Sequence, residues 1–144
     1  MWIDDQPDTK LRSWLRRTKT PMLATLPNGD ILWCNEAFEN LLGWTNVELV
    51  GHITWKDLTP DSQELSYDTD LVRETVDGRR TEYQLQKEYR AKSGTTKKVV
   101  IDVLRYPQFG EFDCFLVAVC PLDNGLQFAL SQISEIRLLI IALM

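Results

Sequence analysis

The sequence predicts an α+β fold: two short strands, a block of short helices, three longer antiparallel strands and a helix at each end. Three observations carry that prediction. Asn28 and Gly29 sit between two short apolar runs, a strong hairpin signal because both residues tolerate positive φ. A block of capped helical segments follows, over residues 35–77. Three strand-patterned runs then succeed one another, joined by turns, and strands joined that way pair antiparallel. Helices in one block and strands in another make α+β rather than an alternating α/β chain.

The elements follow in order. "DTKLRSWLRRT" (8–18) places Leu11, Trp14, Leu15 and Thr18 on one helical face, with Asp8 as N-cap, and Pro21 ends any helix before it. "MLATL" (22–26) and "DILWC" (30–34) form the hairpin. Asn35 caps a short helix whose Phe38, Leu41 and Leu42 share a face, and Gly43 stops it. Thr45 with Glu48, and more weakly Thr54 with Asp57, have the spacing of capping boxes, separated by Gly51. A longer helix starts at Thr59 or Asp61, with Pro60 in its first turn and Glu64 within reach of the cap. Leu65, Thr69, Val72 and Val76 are its expected inner face, and Asp77-Gly78 its end.

Strand parity sorts the rest. Tyr83, Leu85, Lys87 and Tyr89 point one way in "TEYQLQKEYR" (81–90). In "KKVVIDVLRY" (97–106), Val99, Ile101 and Val103 take one face, and Val100, Leu104 and Tyr106 the other. "FDCFLVAVCPL" (112–122) is apolar on both faces, so both faces of the sheet need a cover. The short helices are one. The other is the N-terminal helix, through Leu11, Trp14 and Leu15, or a second subunit.

Residues 124–144 form the last helix, reaching about 30 Å at 1.5 Å per residue. Leu126, Ala129, Ile133, Ile136, Ile140 and Leu143 repeat at spacings of 3 and 4, a heptad seam that Leu130 and Leu139 widen. Such a seam packs on its own sheet or pairs across a dimer. The dimer reading takes Leu11, Trp14, Leu15, Leu126, Ile133, Ile136, Ile140 and Leu143 as interface.

Composition narrows the classes. At 144 residues one domain is expected, and 44% hydrophobic residues suffice for a core. A net charge of −5 disfavours nucleic acid, and the basic runs at 16–19 and 97–98 are short enough to be solvated faces. Three cysteines, Cys34, Cys114 and Cys120, without metal spacing, read as reduced thiols of a cytoplasmic protein. The acidic start "MWIDDQPD" is no signal peptide, and the apolar run "LLIIALM" is too short to span a membrane.

Four motifs, in register, resemble the PAS domain: "LPNGDILWCNEAFENLLGW" (26–44), "ELVG" (48–51), "TWKDLTPD" (54–61) and "YQLQKEYRAKSG" (83–94). The resemblance covers about residues 20–122 and leaves 1–19 as an N-terminal helix and 123–144 as a candidate signalling helix. The family's closing D-I-T step reads "DNG" (123–125) here. The resemblance implies a PAS-like five-stranded sheet. It also implies a sensory or dimerisation module upstream of an output domain or partner, without enzymatic activity and in some members with a ligand between sheet and helices.

No cofactor is evident. Haem-binding relatives use a His on the long helix, and the only His here is His52, after Gly51. The covalent flavin motif is absent, and Cys34 reads as a small buried hydrophobe. No His, Cys or carboxylate group has metal-ligand spacing, and no catalytic constellation can be assembled. The candidate pocket for a small organic ligand is Phe38, Leu42, Val72, Leu85, Tyr89, Val99, Ile101, Val103, Phe115 and Val117. The same residues describe a filled core, which makes a ligand-free interaction module the alternative. Lys87 falls on the inner side, where a lone ammonium is costly, so it is expected to pair with Asp57 or Glu48, or else to meet an acidic ligand.

Overall fold

The computed structural model describes residues 1–144. After a 3-10 turn at Trp2–Asp5 come α1 (Lys10–Arg17), β1 (Met22–Thr25), β2 (Ile31–Cys34), α2 (Glu36–Leu42), α3 (Asn46–Leu49), α4 (Ser62–Val76), β3 (Glu82–Arg90), β4 (Thr96–Tyr106), β5 (Cys114–Pro121) and α5 (Leu126–Leu143). The five strands form one antiparallel sheet in the order β2-β1-β5-β4-β3.

Local chemistry explains most of the boundaries. Gly29 takes φ +115 in the hairpin turn, and a Cβ there would lie 3.2 Å from that of Thr54. That close approach lets the Trp55 amide donate to Gly29 O and its indole N–H to Leu26 O, both at 2.9 Å. Thr45 and Glu48 make the expected capping box on α3. Thr54 and Asp57 make the same reciprocal bonds at 2.9 and 3.1 Å, but they close a turn rather than start a helix. The cap of α1 is Thr9, not Asp8, which instead pairs with Arg12 at 3.0 Å.

Asn35 joins three elements. Its Oδ1 accepts from the amides of Phe38 and Met22, at 3.1 and 2.9 Å. Its Nδ2 donates one hydrogen to the Thr20 carbonyl at 2.8 Å and shares the other between those of Thr18 and Leu15, at 3.3 and 3.4 Å. A primary amide has two donors and two acceptor lone pairs, so one buried side chain caps α2 and pins the exit of α1 to β1.

The inner face of α4 departs from expectation. Asp68, Leu71, Val72 and Thr75 are buried, whereas Val76 is 40% exposed and Leu65 only packs at the margin. The helix is rotated toward a charged residue, because Asp68 meets a cation on the sheet.

Two cores lie on opposite faces of the sheet. The inner core joins Phe38, Leu42, Leu49, Trp55 and Val72 to the inward residues of β3, β4 and β5. The outer core joins Leu11 and Leu15 of α1, and Ala129, Ile133 and Ile140 of α5, to Met22, Val100, Leu104, Leu116 and Ala118. The outer cover is therefore both terminal helices of the same chain. Arg137 of α5 adds a charged tie by donating through Nε, at 3.0 Å, and Nη2 to the buried Asp102 carboxylate on β4.

The helix α5 also corrects the membrane reading. Its 18 residues are long and apolar enough to cross a membrane by length and composition. Counting only the run after Arg137 hid that length. Here the helix lies along the sheet.

Candidate functional site

The inner core contains the one place where chemistry gathers. Lys87, placed inward by strand parity, is buried with only 1% of its side chain exposed. Its Nζ lies 2.8 Å from Asp68 Oδ2, whose side chain is 3% exposed. The Tyr83 hydroxyl donates to Asp68 Oδ1 at 2.5 Å. The ammonium also faces the rings of Tyr89 and Trp55, 4.8 and 5.8 Å from their centroids. Burial, then the Asp68 charge, pushes the Tyr83 hydroxyl well above the ordinary tyrosine range. Burial, again ahead of Asp68, does the same to Tyr89. Both phenols therefore stay protonated at ordinary pH.

The expected partners of Lys87 were Asp57 and Glu48, and neither holds it. Asp57 closes its own turn with Thr54, and Glu48 pairs with Lys92 at 2.5 Å. The Lys92 hydrogen bond holds the Glu48 carboxyl below its usual range. Asp68 was missed because a hydrophobic-face pattern discards charged residues. It lies four residues before Val72, so it shares that face of α4, and an inward Lys required a carboxylate there.

A cavity of about 20 Å³ adjoins this network. Of the expected pocket residues, Val72, Tyr89, Ile101, Val103, Phe115 and Val117 line it. Phe38, Leu42, Leu85 and Val99 are buried in the same core but do not reach it. Leu23, Thr25, Trp55, Asp68, Tyr83 and Lys87 complete the wall. The space suits one or two waters, far below the ~300–1,000 Å³ of organic-ligand pockets.

The other chemical candidates sit apart. His52 is exposed in the turn after α3. Burial raises the Cys34 and Cys114 thiols to about 12, so both are neutral at ordinary pH. Among His, Cys, Asp and Glu no group of three converges as a metal site would. The largest surface cleft, about 570 Å³, is polar and runs from Arg16, Arg17 and Lys19 to Glu36 and Asn40. There Arg16 binds Asp4 and Arg17 binds Ser13.

The expected dimer seam is largely used within the chain. Leu11, Leu15, Ile133 and Ile140 are buried in the outer core, and Trp14, Ile136 and Leu143 are half-buried against it. Only Leu126, 44% exposed, lies open. A 3-and-4 spacing marks any helix with one apolar face, and here that face meets the chain's own sheet. The residues left exposed are others: Phe128, Leu138, Leu139, Ile141 and Met144.

Solved structures share this architecture. The PAS domain of an HTR-like protein from Haloarcula marismortui matches with TM-score 0.60 and 18% identity, over 76% of this chain and 86% of that one. The PAS domain of a LuxR-family transcriptional regulator from Burkholderia thailandensis, in complex with ethanol, matches with TM-score 0.62 and 11% identity, over 77% and 96%. The LOV protein of Rhodobacter sphaeroides matches with TM-score 0.64 and 16% identity, over 79% and 65%. At such identities the likeness concerns the fold. Comparison with curated proteins finds no match. The family model described as PAS fold matches residues 9–125, and with it over most of its length this chain belongs to the PAS family.

Proposed function

We propose that the chain is a regulatory module that works by protein contact, pairing with a second copy of itself through the outer face of α5. PAS domains are sensory and regulatory modules of signalling proteins rather than catalysts. The observation that carries the reading is the end of α5. Beyond Arg137 every residue is apolar. Ile140 is buried and Leu143 half-buried, while Leu138, 69% exposed, Leu139, Ile141 and Met144 are open to water. A helix end that is apolar all round is unstable in water unless something covers it. No charge interrupts the open patch, which suits an isologous contact in which the patch meets itself.

The interior supports the same reading, because a cavity of about 20 Å³ leaves little room for an organic ligand in this conformation. Multi-angle light scattering over a concentration series tests the proposal. A dimer is expected in the micromolar range, and Leu138→Glu with Ile141→Glu is expected to give a folded monomer. A wild-type monomer at high micromolar concentration overturns it.

A further inference from the structure

We propose that the open edge of β3 takes up an extended segment of a partner protein as a sixth strand. The segment sets one large apolar side chain against Leu126 and Leu130, and a Lys or Arg two residues away beside Glu88 and Glu64. The inference does not depend on pairing through the C-terminal end of α5.

The sheet has two edge strands, β2 and β3, and the chain closes them unequally. β2 is four residues long, and the outward N–H and C=O of its Cys34 are both taken by the Asn46 side chain, at 2.9 and 2.8 Å. β3 is nine residues long, and its register fixes which residues turn outward. Arg105 N–H donates to Thr81 O and Ala91 N–H to Thr95 O, so the odd-numbered residues between Thr81 and Ala91 turn their backbone groups to β4. The even-numbered residues turn theirs to the free edge. There Glu64 Oε1 closes the Glu88 N–H and Leu58 O closes the Arg90 N–H, both at 2.9 Å. Gln84 and Gln86 lie before that closure, and their N–H groups find no acceptor in the chain. Free N–H and C=O groups in a row along an edge are a template for another strand.

The side chains say what kind of strand fits. Even-numbered side chains of β3 point to the outer face, where a cleft of about 280 Å³ opens between Gln84, Gln86, Val100, Leu126 and Leu130. Val100 stands opposite Gln86 on one side. A residue paired with Gln86 from the other side shares that face, and a long or aromatic side chain there reaches the cleft. Leu126 is the one member of the α5 seam that the outer core leaves open. A second copy of β3 would bring only Glu and Gln side chains to this apolar slot, so the occupant is a different sequence.

Charge selects the flank of the anchor. Glu64 spends one carboxylate oxygen on the Glu88 amide and keeps the other free. Glu88 makes no ion pair, although Lys98 stands opposite it on β4. A cation two residues along the added strand from the apolar anchor faces Glu88 as a cross-strand pair, with Glu64 beside it.

The test uses the full chain and an acetylated, amidated peptide, Thr-Val-Thr-Phe-Thr-Lys-Thr, followed by NMR. Saturable shifts are expected at the Gln84, Gln86 and Leu126 amides, with at least tenfold slower hydrogen exchange at the first two. In the added strand the Phe turns its N–H toward β3, and the Thr before it turns its own away. N-methylation at the Phe is therefore expected to abolish binding, and N-methylation at that Thr to spare it. Replacing the peptide's Lys by Glu is expected to weaken binding about threefold at low salt. Leu126→Glu changes an exposed position, and Gln86→Pro removes an outward N–H that β4 does not use. Each is expected to lower affinity at least tenfold with little change in Tm. If Gln86→Pro does not fold, Leu126→Glu and the two methylated peptides decide the matter. No response to the peptide overturns the proposal, and so does equal binding of the two methylated forms or undiminished binding to Leu126→Glu. Protection of Gln84 and Gln86 that grows with protein concentration alone, and persists in Leu138→Glu with Ile141→Glu, gives the edge to a second copy and overturns the choice of partner.

Discussion

Each face of the sheet holds one buried carboxylate paired with a cation, and the two pairs differ in their access to water. On the inner face Asp68 and Lys87 expose 3% and 1% of their side chains. On the outer face Asp102 exposes 2%, but Arg137 exposes 26% and also approaches Glu82 at 3.9 Å. Each pair ties a helix to the sheet, α4 on one side and α5 on the other. Bulk solvent reaches neither partner of the inner pair, whereas it already reaches the guanidinium of the outer one. The inner pair is a lock and the outer pair a latch, so the outer pair is the one that opens at lower cost.

The largest expected effect is on the lock. Asp68→Ala leaves the Lys87 ammonium without its counter-ion and should cost about 3–5 kcal/mol in urea unfolding. The Asp68→Leu, Lys87→Met pair should recover most of that, since well-packed apolar replacements of buried pairs are often neutral or better. A single variant no less stable than wild type would erase the contrast between the faces.

Asn35→Ala comes next, because it removes a cap and strands the Met22 amide beside three carbonyls of the α1 exit. A loss of about 2–3 kcal/mol is expected, read from the same unfolding curves.

Arg137→Gln should cost less, about 1–2 kcal/mol, because solvent reaches the vacated site. Its signature is local. Hydrogen exchange should quicken in α5, and Cys120, half-buried beside α5, should react sooner with a thiol reagent, while α4 stays protected. Equal loosening of both helices would contradict the assignment of lock and latch.

The smallest effect is in pH. Burial raises the Asp102 carboxyl above its usual range, and the Arg137 hydrogen bond only partly offsets it. Arg137 is itself raised by that hydrogen bond, which shows that the pair attracts even though burial dominates for the acid. A folded-state value above the unfolded one means that the native state binds the proton more readily as pH falls. Wild type should therefore gain stability relative to Asp102→Asn as pH drops through the window between Asp102's raised value and the ordinary aspartate range. Urea midpoints across that window check it, and a gap that narrows with acid would reverse the sign.

What was legible in the chain was local. The Asn28-Gly29 hairpin, the Asn35 cap, the Thr45–Glu48 box and the inward parity of Lys87 depend on neighbours a few residues away. Packing between distant segments was not legible. The partner of Lys87 lies 19 residues earlier, on a helix face that hydrophobic patterning assigned elsewhere. The seam of α5 has the same spacing whether it meets a sheet or another helix, and only the presence of the outer core shows which. Asp102 lies between Ile101 and Val103 in a run read as apolar, and its role needs Arg137, 35 residues on.

The alternation of β4 has a mechanical consequence. Ile101 and Val103 border the inner cavity, while Asp102 between them grips α5 from the other side. Strand β4 thus carries contacts to both faces at adjacent residues. If it rolls slightly to widen the inner space, it must carry the Asp102 carboxylate through the same angle relative to Arg137. Any change behind Val72 has to cross only the thickness of one backbone to reach α5.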